Sequence, residues 1–266
     1  MSKIPAARLD RLLANLGYGS RREAHALIAR GLVTLDGSKL RDVGQKIPLT
    51  PDLADRMRVR GEPLDPPSPL TLMLNKPLGV VCSHRESGRS VYELLPARWR
   101  ARDPALSSIG RLDADTTGLL LITDDGPLLH KVISPRNHVP KRYHVTLARP
   151  MTGGEAALFA DGTLMLESET TPLAPATLEP LSSTTAWLTI TEGRYHQVRR
   201  MFAAAGNHVT ALHRDRIGAL PLPQDLKAGQ WRVLVGPELT NLTNSPHPTL
   251  IDLASAPPPP SEGPSL

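Results

Sequence analysis

The sequence predicts an α+β protein in which a small N-terminal unit precedes a larger unit of strands and isolated helices. Residues 1–62 contain two helical stretches followed by a strand and a turn. Residues 70–242 alternate short β-like runs with a few helices and lack regular βαβ repetition, which argues against a doubly wound sheet. The proline-rich residues 63–69 cannot sit inside a helix or a central strand, so we expect them to be a linker between two domains.

The elements of the N-terminal unit follow from hydrophobic spacing and capping signals. Leucines recur at helical spacing between Ala7 and Gly17, which predicts a first helix with one buried face. Ser20 begins a second helix, because Glu23 three residues later completes a capping box. The run Val33–Leu35 followed by Asp36-Gly37 predicts a strand that enters a tight hairpin turn.

The larger unit is predicted to hold five strands and two helices. We expect strands over Leu70–Leu74, Gly118–Thr123, Tyr143–Ala148, Trp187–Ile190 and Arg232–Val235, and helices over Glu155–Asp161 and Arg194–Ala205. In the second of these helices, Tyr195 is predicted to belong to the apolar stripe. The Pro/Ser-rich residues 243–266 are predicted to form a disordered tail.

Composition excludes several functional classes. The single cysteine, Cys82, excludes an internal disulfide framework and a cysteine-rich zinc site. No apolar run approaches the roughly 18 residues of a membrane span, and the first residues lack the apolar core of a signal peptide, so we expect a cytoplasmic protein that does not contact membranes. No phosphate-binding glycine loop of the nucleotide, dinucleotide or S-adenosylmethionine type is present, and the dispersed histidines predict no metal site.

The positive charge is concentrated at the N-terminus. Residues 1–62 hold twelve Lys/Arg and seven Asp/Glu, which accounts for the whole formal net charge of +5. Further basic clusters lie in 136–149 and 192–216. Concentrated basic patches indicate a polyanionic partner, most often a nucleic acid.

The N-terminal unit is similar to the S4 RNA-binding domain over residues 6–60. The resemblance rests on Arg8-Leu9-Asp10, Gly17, Ser20-Arg21-Arg22-Glu23-Ala24, Gly31, Val33 and Asp36-Gly37. Such domains place helical basic side chains on RNA phosphates. The alternative interpretation of these arginines is a solvated helix face that only aids solubility. The predicted RNA-binding residues of this unit are Arg8, Arg11, Arg21, Arg22 and Arg30.

Two segments of the larger unit are candidates for chemistry. The first runs from Gly110 to Gly118 and contains two carboxylates, Asp113 and Asp115, in a glycine-bounded loop before a buried strand. Such a loop can present a carboxylate to a cleft, although Asp115 with Thr116 can also simply cap a turn. The second segment spans residues 192–202, where Arg199 can reach an anion, either a phosphate or a carboxylate from elsewhere in the chain.

Over residues 6–240 the chain resembles bacterial pseudouridine synthases of the RsuA type. Its most specific motifs are Gly110-Arg111-Leu112-Asp113 with Thr117-Gly118, and Glu192-Gly193-Arg194-Tyr195-His196-Gln197-Val198-Arg199-Arg200-Met201; Leu74-Asn75-Lys76-Pro77 with Gly79 and Lys141-x-Tyr143 support them. The resemblance implies a catalytic domain with a mixed, mainly antiparallel sheet and flanking helices. It also implies an isomerisation of uridine to pseudouridine that needs neither cofactor nor metal.

The resemblance further implies the roles of individual residues. Asp113 would attack the target uridine at the ribose C1′ or the base C6, Tyr143 would stack on the base, and Arg199 would pair with Asp113 and keep it ionised. Asp115 would only shape the loop. Further RNA contacts are expected from residues of the same motifs, namely Lys76, Arg111, Arg194, His196 and Arg200.

The expected partner is ribosomal RNA, with 16S rRNA or a small-subunit assembly particle favoured, and the protein is expected to be a monomer. One alternative is an enzyme of the same chemistry that acts on 23S rRNA. A second, from a different class, is a non-catalytic assembly factor that uses only the S4-like unit. An RNA methyltransferase is disfavoured because its cofactor loop is missing.

Overall fold

A computed structural model describes residues 4–83 and 87–242, so the predicted tail 243–266 lies outside the described residues. The N-terminal unit packs two helices against short strands around its own apolar core. Its elements are β1 (Ala6–Arg8), α1 (Leu9–Asn15), α2 (Arg21–Ala29), β2 (Val33–Leu35), β3 (Ser38–Lys39), β4 (Lys46–Pro48), α3 (Leu53–Arg56), β5 (Met57–Val59) and β6 (Glu62–Pro63).

Local signals in the sequence explain the N-terminal unit well. The Ser20 hydroxyl accepts a hydrogen bond from the backbone N–H of Glu23, and the Glu23 carboxylate accepts one from the backbone N–H of Ser20, so the predicted capping box is confirmed. Asp36 and Gly37 both have positive φ, as a two-residue hairpin turn between β2 and β3 requires. The regularly spaced leucines of α1 are all buried.

The larger unit is built on one extended sheet. Its elements are β7 (Thr71–Lys76), β8 (Ser107–Ile109), β9 (Thr116–Thr123), α4 (Gly126–Ile133), β10 (Lys141–Leu147), α5 (Glu155–Ala160), β11 (Thr177–Pro180), β12 (Thr185–Ile190), α6 (Gln197–Ala204), β13 (Val209–Ile217), β14 (Leu220–Pro221), β15 (Trp231–Val233) and α7 (Pro237–Asn241), with 3₁₀ turns at Val91–Leu94, Ala97–Ala101 and Pro135–Asn137.

The sheet is mixed and mainly antiparallel, which confirms the predicted fold class. Its strand order is β11-β12-β10-β13-β9-β7-β15, with β14 beside β13 and β8 beside β9. The β13–β9 pair is parallel, and the other pairs in the sheet are antiparallel. Both faces of β9 are covered, because Leu120 and Ile122 belong to one apolar cluster while Leu119 and Leu121 belong to another.

All five predicted strands and both predicted helices occur, but with shifted ends and with omissions. The prediction omits β13, a nine-residue strand between β10 and β9, as well as α4. The predicted helix Arg194–Ala205 begins only at Gln197, because His196 has a left-handed φ of 48° that helical backbone cannot adopt.

The two units contact each other through the 3₁₀ turn at Ala97–Ala101. Arg98 donates two hydrogen bonds to Asp65, at 2.7 and 2.9 Å, and its guanidinium carbon lies 4.4 Å from the centroid of the Tyr18 ring. Gly17 is required at this junction, since it has a φ of +84° and an added Cβ would collide with the carbonyl oxygen of Arg98.

Candidate active site

The loop that carries Asp113 lies between β8 and β9. The carbonyl of Asp113 accepts a hydrogen bond from the backbone N–H of Thr116 at 3.0 Å, which closes a turn directly before β9. Its carboxylate stays accessible, with 35% of the side chain exposed. The loop therefore holds a carboxylate at the surface over a buried, rigid strand.

Lys76 supports this loop from below. It ends β7, its side chain is 0% exposed, and its ammonium donates hydrogen bonds to the carbonyls of Thr116 at 2.8 Å, Pro77 at 3.1 Å and Ala114 at 3.4 Å. Burial lowers the pKa of Lys76, an effect that the nearby Cys82 and Asp113 oppose. The predicted RNA contact of Lys76 is wrong, because the three N–H donors of its ammonium all bond to carbonyls within the protein and leave none for a substrate.

The imidazole of His196 contacts the Asp113 carboxylate. The Nε2 atom of His196 lies 3.3 Å from Oδ1 of Asp113, and the imidazole ring stacks on the Tyr195 ring with centroids 3.8 Å apart. Tyr195 itself is 75% exposed. The predicted place of Tyr195 in an apolar stripe is therefore wrong, because the chain enters α6 through a left-handed residue and turns this ring outward.

Arg199 contacts the other carboxylate of the loop. Its Nη2 lies 2.8 Å from Oδ2 of Asp115, and its Nη1 donates to the carbonyl of Val209 at 2.9 Å. The predicted Arg199–Asp113 pair is absent among these contacts, so that prediction is wrong for the structure described. Asp115 does more than shape a turn, since it links the Asp113 loop to α6.

Tyr143 and Arg214 lie on neighbouring strands next to the Asp113 loop. They are cross-strand partners on β10 and β13, and Nη1 of Arg214 donates to the Tyr143 hydroxyl at 3.3 Å. Arg214 is only 3% exposed, and its Nε donates to the carbonyl of Leu119 at 2.8 Å. Gly118 on β9 pairs with Arg214 on β13 and has a φ of +102°. A Cβ added at Gly118 would collide with the backbone of Arg214.

Sequence reasoning assigned no role to Arg214. The run Val209–Ile217 does not alternate between apolar and polar residues, so its spacing gives no signal that Arg214 is buried. The prediction lacked that strand, so the arginine was grouped with a general basic cluster.

The other predicted RNA-binding residues of this unit have mixed surroundings. Arg194 and Arg200 both pair with Glu169, at 3.1 and 2.8 Å, and both also donate to nearby backbone carbonyls. Their charges therefore fasten the segment around Glu169 to the start of α6. Arg111 is exposed in the Asp113 loop.

On the N-terminal unit, a buried carboxylate organises the basic surface. Asp10 is 0% exposed and contacts Arg8 at 3.2 Å, Arg21 at 2.6 Å and His25 at 3.1 Å. Hydrogen bonds from Arg8, then from Arg21, hold the pKa of Asp10 well below its usual range. The five arginines predicted to bind RNA here are all exposed, namely Arg8, Arg11, Arg21, Arg22 and Arg30.

Neither a cluster of metal ligands nor a membrane-spanning helix occurs in the described residues. Among residues 4–83 and 87–242, no group of three or more His, Cys, Asp or Glu side chains could hold a metal ion. No helix in the described part of the chain is long and apolar enough to cross a membrane.

Comparison with known proteins identifies both units. The family model for RNA pseudouridylate synthase matches residues 71–204, and the S4 domain model matches residues 7–49. Ribosomal small subunit pseudouridine synthase A of Escherichia coli K12 is 43% identical over 239 residues, which cover 88% of this chain and 99% of that protein. An uncharacterized RNA pseudouridine synthase of Bacillus subtilis is 40% identical over 90% of this chain and 99% of its own length.

A solved structure agrees with the sequence comparison. A pseudouridylate synthase crystal structure superposes with a TM-score of 0.62 and 38% identity, covering 88% of this chain and 99% of that one. The Asp113 loop, Tyr143 and the start of α6 all fall inside the matched family region. The chain belongs to the RNA pseudouridylate synthase family, and within it to the RsuA-type enzymes that carry an N-terminal S4 domain.

Proposed function

We propose that this pseudouridine synthase isomerises one uridine of 16S rRNA, at position 516, during small-subunit assembly, with Asp113 as the catalytic carboxylate. The observation that carries the proposal is the setting of Asp113, an accessible carboxylate on a loop that the buried Lys76 holds through three carbonyls. Relatives named for the small ribosomal subunit, at 42–43% identity, support the choice of 16S rRNA.

The chemistry requires the bond between ribose C1′ and uracil N1 to break and a bond between C1′ and C5 to form. An ionised Asp113 can attack C1′ or C6, in either case forming an adduct that permits the base to detach and turn. His196 lies close enough to Asp113 to hold it in place before the substrate arrives. Arg199 acts indirectly, through Asp115, by positioning the loop.

The S4-like unit supplies affinity for the RNA. Its exposed arginines can contact phosphates without reading bases, and these contacts can offset the few kcal/mol needed to extract a uridine from its stack. The substrate is then 16S rRNA or a small-subunit particle, bound by a monomeric enzyme in the cytoplasm.

The test is a map of pseudouridines on 16S and 23S rRNA in cells that lack this gene and in cells that carry it again. We expect a single 16S site to lose its modification and to regain it with the wild-type gene. Loss at a 23S site instead would establish the alternative substrate. An unchanged map of both RNAs would refute the proposal.

A further inference from the structure

One guanidinium nitrogen of Arg214, Nη2, has no hydrogen-bond partner among the described residues. The Nε and Nη1 atoms of this side chain donate to Leu119 and Tyr143, while Nη2 is buried. A buried guanidinium N–H without an acceptor is costly, and such groups in native proteins often mark a functional site. Arg214 is therefore suited to an acceptor supplied by the substrate.

Lys141 adds a second cation on the same face of the sheet. It lies two residues before Tyr143 on β10, so the two side chains point to the same side. Burial and the nearby Arg214 lower the pKa of Lys141 to about 8, and no carboxylate of the described residues contributes to it. Within the part of the chain that the structure describes, neither Lys141 nor Arg214 forms an ion pair with a carboxylate, and two such cations favour an anion between them.

The reaction creates such an anion. When the C1′–N1 bond breaks, its electron pair stays on the uracil and spreads onto the O2 and O4 oxygens. Attack at C6 also drives charge onto O4. If Asp113 has attacked C1′, C5 of the turned base then attacks C1′ and displaces the carboxylate; if it has attacked C6, the Asp113–C6 bond breaks after the C1′–C5 bond has formed. C5 finally loses its proton and N1 gains one, so the isomerisation is balanced and Asp113 is regenerated.

On the basis of the proposed function, we infer that Arg214 Nη2 and Lys141 bind a uracil oxygen and stabilise the negative charge of the detached base. Arg214 is then a catalytic residue whose positive charge complements the negative charge of Asp113. The Asp113 carboxylate would contact the ribose end of the nucleoside, and the cations of Lys141 and Arg214 would contact its base. Preorganised donors of this kind are typically worth about a hundredfold or more in rate.

The experiment compares RNA containing uridine with RNA containing 5-fluorouridine at the target position, in single-turnover reactions that follow loss of the starting nucleoside. This quantity is comparable for the two RNAs, whereas product formation is not, because C5 of 5-fluorouridine carries fluorine and has no proton to lose. Fluorine makes the detached base a weaker base, so its anion needs less stabilisation by the protein. Arg214→Gln should slow consumption of uridine by about a hundredfold, and its loss on 5-fluorouridine should be several times smaller. RNA affinity should remain at the wild-type level.

Lys141→Gln provides a second, less disruptive variant, with an expected loss of about tenfold on uridine and a smaller loss on 5-fluorouridine. The matched control is Arg142→Gln, since Arg142 pairs with Asp215 on the opposite face, and it should stay within about twofold on both RNAs. Equal losses on the two RNAs for Arg214→Gln and Lys141→Gln would overturn the inference and leave only a structural role. If Arg214→Gln does not fold, Lys141→Gln decides alone.

Failure of the proposed 16S function can be distinguished from failure of the inference about Arg214 and Lys141. The comparison uses whichever rRNA the wild-type enzyme modifies, so a 23S target would refute the 16S proposal and still test Arg214 and Lys141.

Discussion

The two units of this enzyme arrange charge in opposite ways. In the N-terminal unit a fully buried carboxylate, Asp10, lies beneath exposed cations. In the catalytic unit the buried Lys76 and Arg214 lie beneath and beside an accessible carboxylate, Asp113. Under the proposed function, the buried charge in each unit orients the group that meets the RNA, which is a cationic surface for phosphates in the N-terminal unit and the Asp113 carboxylate in the other.

The largest expected effect comes from removing the displayed carboxylate. Asp113→Asn keeps the shape of the side chain and removes its charge, so pseudouridine formation should fall below detection in a tritium-release assay on unmodified rRNA particles. Asp115→Asn is the matched control on the same loop. It loses only the contact with Arg199 and should retain turnover reduced by about tenfold. An inactive Asp115→Asn beside an active Asp113→Asn would reverse the assignment.

The next effect comes from removing the buried cation under the loop. Lys76→Met leaves the carbonyls of Pro77, Ala114 and Thr116 without their donor, so the free energy of unfolding should fall by about 2 kcal/mol. Turnover should fall as well, because the loop loses its support, while RNA affinity should hold. Urea unfolding measures the first effect, with exposed Lys131→Met as a control of unchanged stability. Equal stabilities for both variants would remove the supporting role of Lys76.

The buried carboxylate of the N-terminal unit predicts a pH dependence. The pKa of Asp10 is lower in the folded than in the unfolded chain, so its stabilisation is complete above the unfolded pKa of about 4 and is lost as the pH falls below it. Asp10→Asn should therefore reduce stability at pH 7 and flatten the acid limb of the stability curve. Parallel acid limbs for the wild type and Asp10→Asn would contradict this.

The smallest effect is expected from individual displayed cations. Arg11 and Arg22 are exposed on the helices of the N-terminal unit. Replacing both with Gln should weaken RNA binding and reduce the slope of log affinity against log salt by roughly 1.5, as expected for two lost phosphate contacts. Binding measured at four or five salt concentrations gives that slope, and an unchanged slope would place the RNA elsewhere.

The sequence predicted elements that local signals specify. The capping box at Ser20 and Glu23 and the Asp36-Gly37 turn were confirmed, as was the mainly antiparallel sheet. Strand β13 was missed because it carries buried Arg214 at a position where alternation predicts an apolar side chain, and because its pairing with β10 is interrupted by irregularities. Because β13 is rich in polar residues, hydrophobic alternation does not indicate this central strand.

The errors at the site share a physical origin. Which carboxylate Arg199 contacts, and whether Tyr195 faces the core, depend on a left-handed residue at His196, where helical periodicity ends. The motif that contains Lys76 predicts an RNA contact, yet this lysine is buried, and the carbonyls around the Asp113 loop provide the acceptors that a buried lysine requires. Contacts between segments that are distant in sequence determine the surroundings of Arg199, Tyr195 and Lys76. Residue spacing along the chain does not predict such contacts.

The most direct test of the opposed charge arrangements measures saturated turnover and RNA affinity for Asp113→Asn and Asp10→Asn side by side. Asp113→Asn should bind RNA like the wild type and form no pseudouridine. Asp10→Asn should bind RNA more weakly, although its net charge is more positive, and should turn over at the wild-type rate once saturated. Loss of saturated turnover with unchanged affinity in Asp10→Asn, or retained turnover in Asp113→Asn, would contradict these opposed roles of the two carboxylates.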